Sequence, residues 1–389
     1  MKNKFLTITF LVVIFGVFLF VPAKEMLIRL HKVNFYKSDN WKTVPKTNDK
    51  IYDKIMSLES FIENRYENYF PFYNKINSVY YNSIINIDSL YLDDIYLKEN
   101  TDQDRVFYDK DNNFYYLVNK YSKDELNNRM NTEVGFYNSL ASKYSNINFA
   151  IYLPLRYEMT SAKNVNGYHD MVVEFEEKLD DNIQVTDLDS KTTEEYLKYF
   201  YKTDHHFNSY GAYISYNDIL DMYGISSNLE FKIKEVINPY YGSMAKSLLS
   251  TKVSDTLIAL DYPNNLKVKV DGEDFKPLEV DKKANPFYDY YVKYFNGQYD
   301  EVIYQSELHT GNNLLIISDS FAWQIDYLLA SHFDNTYVIN MRYGKWKNNN
   351  LDFDKYIKEN NITHVLVLME TKNIIFDIDN FKINERVVY

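Results

Sequence analysis

Cysteine is absent from all 389 residues, and glycine and proline are scarce, at 10 and 8. With no disulfides available, a chain exported from the cytoplasm must hold together by its core alone. The lack of cysteine also leaves any zinc site to histidine and carboxylates. Positive charge is in deficit too, with 43 Lys and Arg against 55 Asp and Glu and a formal net charge of -12. That balance argues against nucleic acid as a partner and against electrostatic attachment to an anionic membrane surface. Neutral or weakly charged substrates fit better. No cofactor motif, internal repeat or low-complexity tract stands out.

What the chain does have is tyrosine, 39 residues of it, with 25 phenylalanines. Aromatic faces suit sugar rings, although most such residues serve packing. The abundance of Tyr, Asn, Lys and Ile at low glycine suggests an AT-rich genome, and export without disulfides fits a Gram-positive bacterium. At the N-terminus, Lys2 and Lys4 precede an almost unbroken apolar run from Phe5 to Val21. A run of about 18 apolar residues can span a bilayer. No small-x-small cleavage site follows, so residues 1–23 read as an uncleaved signal anchor. The basic residues before the span place the rest of the chain outside the cytoplasm, as a single-pass protein of the cell membrane.

Residues 24–105 read as a membrane-proximal linker around Pro45 followed by a helical segment, with apolar residues at helical spacing from Ile51 to Tyr66. Residues 106–389 read as an α/β domain. Its expected elements are a strand at 114–118, a helix at 123–144, a strand at 147–155 and a helix at 209–223 that Asn208 caps and Gly224 closes. Two alternating segments, 256–260 and 266–270, read as antiparallel strands inserted in or appended to the sheet. The C-terminal stretch is the clearest, with strands at 314–317, 336–341 and 363–369 separated by helices at 321–333 and 351–361. Strands joined by helical crossovers make a parallel sheet, and ligand sites in such sheets lie at the carboxyl ends of the strands. Ser318, Asp319 and Ser320, then Arg342, then Glu370 and Thr371 fall at those ends.

Chemistry concentrates in Thr203-Asp204-His205-His206-Phe207-Asn208 and in Ile316-Ile317-Ser318-Asp319-Ser320-Phe321. In extended chain Asp204 and His206 face one side, so the carboxylate can hold the imidazole in one tautomer. A serine is activated when a base so oriented takes its proton, and Ser320 at a strand-to-helix turn exposes its hydroxyl beside the free amides of the helix, which can donate to an oxyanion. Two other readings stay open on the residues alone. Asp, His and Ser are also ordinary cap and turn residues. Asp204 with His205 and His206 has ligand types for zinc, although no cysteine completes the set and the other histidines show no ligand spacing.

The elements Thr-Asp-His-His-Phe-Asn-Ser-Tyr-Gly-Ala-Tyr at 203–213, Ile-Ser-Asp-Ser-Phe-Ala at 317–322 and Tyr-Val-Ile-Asn-Met-Arg-Tyr at 337–343 resemble the DHHW protein family. That family is similar to the SGNH-hydrolase-like domains of alginate O-acetyltransferases and related cell-surface acetylation proteins. The resemblance covers roughly 107–389. It implies a flavodoxin-like parallel sheet flanked by helices and a catalytic triad of Ser320, His206 and Asp204. It also implies that Arg342 contacts the substrate or the acyl oxygen and that Gly242-Ser243 supplies an oxyanion-hole amide, with His205 and Phe207 at the substrate site. Phe207 stands where the family has Trp, which keeps a ring but no indole donor. Ser318 stands where Gly is common. No metal or cofactor is implied. The expected activity is O-acetyl transfer onto hydroxyls of a cell-envelope or exported polysaccharide, with a multipass membrane O-acyltransferase as acetyl donor. The alternatives are a carbohydrate acetylesterase of the same fold and a non-catalytic polysaccharide-binding or assembly protein.

Overall fold

The computed structural model describes residues 113–118 and 121–389, except 228, 262–264, 276–284, 296–298, 344–345, 347–348 and 379–380, together with 94–99, 104–109 and four positions between 79 and 85. All of these belong to the compact unit Pro71–Tyr389. The expected signal anchor, the linker and most of the helical segment lie outside the described residues; Val79, Tyr81, Asn82 and Ile85 are helical. Among the described residues no helix is long and apolar enough to cross a membrane.

The first described elements are strands β1 (Asp94–Glu99), β2 (Asp104–Asp109) and β3 (Phe114–Val118), which form an antiparallel sheet in that order. Helix α1 (Lys123–Lys143) follows, opened by a capping box in which the Ser122 hydroxyl accepts from the Glu125 amide and the Glu125 carboxylate accepts from the Ser122 amide. Then come β4 (Asn148–Pro154), α2 (Tyr168–Lys178), β5 (Ile183–Leu188), α3 (Thr193–Tyr199) and α4 (Ser209–Met222). The middle of the chain holds β6 (Lys232–Tyr240), α5 (Ser243–Leu248), β7 (Asp255–Asp261), β8 (Lys267–Val270), β9 (Glu273–Asp274) and α6 (Tyr290–Tyr294). The last part runs through β10 (Glu301–Gln305), β11 (Asn313–Ser318), α7 (Asp326–Ala330), β12 (Asn335–Asn340), β13 (Leu351–Asp352), α8 (Phe353–Asn360), β14 (His364–Leu368) and α9 (Thr371–Phe376).

These build a mixed α/β fold around an eight-stranded sheet of order β5-β4-β14-β11-β12-β10-β8-β9. From β5 to β12 the strands are parallel, and β10, β8 and β9 are added antiparallel at one edge. Every residue of β11 and β14 is buried, as expected of strands covered on both faces. The two-residue period divides them. Leu315, Ile317, Val365 and Val367 pack with residues of α1, α2, α8 and α9, while Leu314, Ile316, Leu366 and Leu368 pack with α3, α4 and α7. Each such buried side chain contributes about 1.5–3 kcal/mol relative to exposure. From β4 the chain moves to one flank of the sheet and from β11 to the other, so β4, β14 and β11 form the topological switch point, where such sheets bind ligands.

Three sequence expectations change. The helix expected over 321–333 is a 3-10 turn at Ala322–Gln324 and the short α7, parted at Ile325, whose φ of -129° is not helical. In that break Gln324 is buried and its side-chain amide donates to the Phe207 carbonyl at 2.5 Å, so tertiary bonding overrides the helical pattern. The segments at 256–260 and 266–270 do not pair with each other. β7 pairs with β6, and β8 joins the main sheet through β10. An alternating pattern sets which face a strand buries, not which strand it meets. Finally, Leu351 and Asp352 pair with the C-terminal Val387 and Val388, and α8 starts only at Phe353, with Asp352 as its cap.

Candidate active site

The segment 203–208 is a tight loop between α3 and α4, and its closure is written in backbone bonds. The Tyr201 amide donates to the His206 carbonyl at 3.3 Å and the Asn208 amide to the Tyr199 carbonyl at 2.7 Å. The Asn208 carboxamide oxygen accepts from the amides of Tyr210 at 2.8 Å and Gly211 at 3.2 Å, capping α4. A side chain at Gly211 would meet the Tyr199 carbonyl oxygen at 2.3 Å, so only glycine lets helix and loop approach this closely. Thr203 is tied down through its amide and hydroxyl to Asp255 Oδ2 at 2.8 and 2.6 Å.

This loop carries Asp204 and His206 to the end of β11. Asp204 Oδ1 and His206 Nδ1 are 2.6 Å apart, and His206 Nε2 and Ser320 Oγ are 2.7 Å apart. An ionised carboxylate only accepts, so Nδ1 carries the proton and Nε2 is left to accept from the serine hydroxyl. Asp204 is held further by the His206 amide on Oδ1 at 3.1 Å, and by the Tyr240 hydroxyl at 2.8 Å and the Ser243 amide at 2.7 Å on Oδ2. Burial alone would raise its pKa. The adjacent His206, the bond to it, His205 and the Ser243 amide outweigh burial and hold Asp204 well below the usual carboxylate range. Ser320, His206 and Asp204 thus stand in hydrogen-bonded series, and Ser320 is only 6% exposed.

The turn that presents Ser320 is pinned by its neighbour. Asp319 Oδ1 accepts from the Phe321 amide at 2.9 Å and Oδ2 from the Glu370 amide at 3.0 Å. The first amide of the turn after Ser320 is therefore engaged, while the Ser320 amide itself has no hydrogen bond among the described residues. Behind the turn lies a buried charge cluster. Arg156 contacts Glu158 at 2.5 Å and also the Glu370 carboxylate, and Lys372 lies 3.5 Å from Glu370. Burial would raise the Glu370 pKa, but Lys372, Arg156 and His205 hold it well below the ordinary value.

The remaining expected residues divide. His205 is beside the triad, its ring centroid 3.9 Å from that of His206 and its Nδ1 2.9 Å from Ser243 Oγ. Burial, then the adjacent His206, push its pKa down to about 3, so it is neutral near pH 7. Arg342 follows β12 and its Nε donates to Asn340 Oδ1 at 3.3 Å, while Nη2 is buried without a hydrogen-bond partner among the described residues. The end of β12 pairs with the end of β11, Asn340 opposite Ser318, so Arg342 follows on the edge that carries Ser320, and its charge opposes the rise that burial imposes on Asp319. Gly242 and Ser243 lie behind Asp204 and not as free oxyanion donors. Their amides are already given to Thr203 Oγ1 at 3.0 Å and Asp204 Oδ2 at 2.7 Å. Phe207 is 0% exposed and packs edge-on to Phe200 and Phe321, so it belongs to the core and does not line a substrate site.

Sequence reasoning missed Tyr240, Asp255, Tyr291 and Gln324. Tyr240 stands directly before Tyr241-Gly242-Ser243, which is the one local hint; the others carry no signal that separates them from ordinary packing residues. Asp204, His205 and His206 are also the one group of metal-ligand types close together among the described residues. The 2.6 Å separation of Asp204 Oδ1 and His206 Nδ1 is that of a hydrogen bond. Two ligand atoms each about 2 Å from a tetrahedral zinc stand farther apart, so these two fit a hydrogen-bonded pair better than ligands of a shared ion.

No protein-family model and no curated protein matches this chain. Solved structures do. A DHHW family protein from Eubacterium siraeum superposes with a TM-score of 0.59 at 19% identity, over 77% of this chain and 99% of that one. Bacillus cereus PatB1 superposes at 0.54 and 20% identity, over 74% of this chain and all (100%) of that one. The same protein with a sulfonyl adduct superposes at 0.54 and 21%, over 72% and 98%. The O-acetyltransferase domain of Pseudomonas putida AlgJ aligns less well, with a TM-score of 0.42 and 11% identity over 69% of this chain and 91% of that one. The chain therefore shares the fold of a DHHW family protein and of PatB1.

Proposed function

We propose that this protein is an extracytoplasmic acyl-transfer enzyme, anchored by residues 1–23, that moves acetyl groups onto hydroxyls of a cell-envelope or exported polysaccharide. The observation that carries the reading is the unbroken series from Ser320 Oγ through His206 to Asp204, at 2.7 and 2.6 Å. In the first half-reaction Ser320 Oγ bonds to the carbonyl carbon of the acetyl donor as its proton passes to His206 Nε2. The bond to the donor oxygen then breaks, and that oxygen leaves with the proton. In the second half an acceptor hydroxyl attacks the acetyl-serine, its proton goes to His206, and Ser320 leaves and takes the proton back.

Asp204 holds the tautomer and offsets the imidazolium charge in both halves. The unpartnered Nη2 of Arg342 and the unengaged Ser320 amide are the donors available to the oxyanion. A multipass membrane O-acyltransferase is the proposed acetyl source, because free acetyl-CoA is not supplied outside the cytoplasm. Transfer is favoured over hydrolysis by the burial of Ser320, which limits water at the acyl-enzyme. PatB1 has been obtained with a sulfonyl adduct, and sulfonyl electrophiles are a fitting probe here because they report activated hydroxyls.

The test uses the full chain in detergent with an activated acetyl ester, with and without a hydroxyl-rich glycan. Acetate release that falls while glycan acetylation rises supports transfer, and loss of both in Ser320→Ala and His206→Ala ties them to the triad. Acetate release indifferent to any glycan points to an esterase. Folded wild type inert to every ester and to sulfonyl fluorides contradicts the catalytic reading.

A further inference from the structure

The imidazole of His206 lies flat on a tyrosine. The ring centroids of His206 and Tyr291 are 4.1 Å apart and the planes are inclined by 14°. The hydroxyl of the same tyrosine donates to the carbonyl oxygen of Ser320 at 3.2 Å. One side chain on α6 thus meets the base with its face and the backbone of the nucleophile with its tip. It is fixed in place from behind. Gln324 donates to the Tyr291 hydroxyl at 3.3 Å and to the Phe207 carbonyl at 2.5 Å, which joins α6, the turn after Ser320 and the histidine loop. Phe295 packs on the ring at 4.9 Å between centroids.

We propose that Tyr291 is a positioning residue for the proposed acyl transfer, its ring stabilising the imidazolium that His206 becomes and its hydroxyl setting the height of Ser320. The inference rests on the triad reading and adds a second source of charge compensation to it. Asp204 meets the imidazolium at the Nδ1 edge, whereas the negative π-face of Tyr291 meets it from one side. Such a contact is worth most away from water, and both rings are buried. It acts only when His206 is charged, so it strengthens as the proton leaves Ser320 and thereby lowers the barrier. Tyr291 itself stays neutral, since burial pushes its hydroxyl well above the ordinary range.

The titratable groups around His206 are Asp204 and His205 on its own loop, Tyr240 at the end of β6, Tyr291 on α6, and Asp319 and Glu370 at the strand ends. Asp204 and Glu370 are held ionised and His205 neutral near pH 7. Burial raises the pKa of Asp319, but its carboxylate is held by the Phe321 and Glu370 amides and makes no hydrogen bond to Tyr291, so a change in the acid limb of the rate profile on altering Tyr291 alone reports on the imidazolium.

The experiment measures the rate at which a sulfonyl fluoride labels Ser320 across pH in the full chain, with Tyr291→Phe, Tyr291→Leu and Ser320→Ala. Removing the ring in Tyr291→Leu is expected to slow labelling about five- to thirty-fold on the plateau and to move the acid limb to lower pH, because the charged base is no longer favoured. Tyr291→Phe keeps the face, so its acid limb stays with the wild type. Should Tyr291→Leu not fold, pentafluorophenylalanine installed at position 291 reverses the polarity of the face at nearly constant size. Its comparison with Tyr291→Phe must then show the same slowing and the same displacement. An acid limb that does not move when the face is removed or reversed overturns the inference while leaving the triad intact. Labelling that persists in Ser320→Ala, or is absent from folded wild type, instead overturns the triad reading and the inference with it.

Discussion

Replacing Asp204 by asparagine separates charge from shape at the point where the site is most densely bonded. All four partners of the carboxylate are donors: the Nδ1–H and amide of His206 on Oδ1, and the Tyr240 hydroxyl and Ser243 amide on Oδ2. An asparagine has one accepting end. If its oxygen faces His206, its NH2 meets the Ser243 amide head-on at a site where the separation is now 2.7 Å. If it turns over, the NH2 faces His206 Nδ1, which must then accept, and Nε2 becomes a donor that cannot take the proton of Ser320. Whichever end wins, one charge-assisted bond worth about 1.5–3 kcal/mol becomes a donor-to-donor contact. The imidazolium also loses its counter-charge, and a triad with the wrong tautomer runs about 10⁴-fold slower in a worked serine-protease case. Asp204→Asn is therefore expected to label with a sulfonyl fluoride at least about a thousand-fold more slowly than wild type. Stability gives a second reading. The folded-state pKa of Asp204 is depressed, so its contribution is present above the unfolded value of about 3.9 and is lost as pH falls below it. The wild type should lose thermal stability below about pH 4 more steeply than the variant does. Labelling of Asp204→Asn within ten-fold of wild type, from folded protein, would refute the tautomer argument.

Gly242→Ala would bring a methyl to 2.3 Å from the Asp204 Cβ, and the displaced carboxylate is expected to cut labelling at least about ten-fold and to lower thermal stability by about 1–3 kcal/mol. Arg342→Ala is expected to reduce kcat about ten- to a thousand-fold with little change in KM, as for an oxyanion donor, and parallel changes in both constants would count against that role. Glu133 is buried, accepts from Asn384 Nδ2 at 2.7 Å and has a pKa raised to about 8 by burial and then by Asp377. A raised carboxylate favours the fold below its unfolded pKa and loses that favour as pH rises through the folded value. Glu133→Gln should therefore unfold like the wild type near pH 4 and be the more stable by on the order of a few kcal/mol near pH 8.5, as urea unfolding at the two pH values will show.

The parts of this molecule that could be read in the sequence are those where local chemistry and local period agree. Buried runs such as Leu314–Ile317 and 364–368, and the capped helices at 123–143 and 209–222, announce themselves because face, length and cap all point one way. The motif at 203–208 and Ser320 were legible as residues with chemistry. Their 114-residue separation closes only through the sheet, when the loop before α4 meets the end of β11. The failures are of another kind. The alternation in β7 fixes a face and leaves the partner strand open, so its pairing with β6 could not be inferred. The helical pattern over 321–333 breaks where Gln324 gives its side-chain amide to the distant Phe207 carbonyl, just after Asp319 is tied to the Glu370 amide. The amides of Gly242 and Ser243, expected to serve an oxyanion, are given to Thr203 Oγ1 and Asp204 Oδ2, since a backbone amide has no sequence mark for what it donates to. Tyr240 and Tyr291 stand among 39 tyrosines, and nothing local distinguishes the two that touch the triad.

The central claim is that Ser320 becomes acylated with His206 as its base. The most direct measurement is to quench the full chain during turnover of an activated acetyl ester and locate the acetyl group by peptide mass spectrometry, beside His206→Ala. Acetyl on Ser320 in the wild type and none in the variant is the expected result. Ester turnover with the acetyl group on any other residue, or equal acetylation of Ser320 without His206, would contradict it.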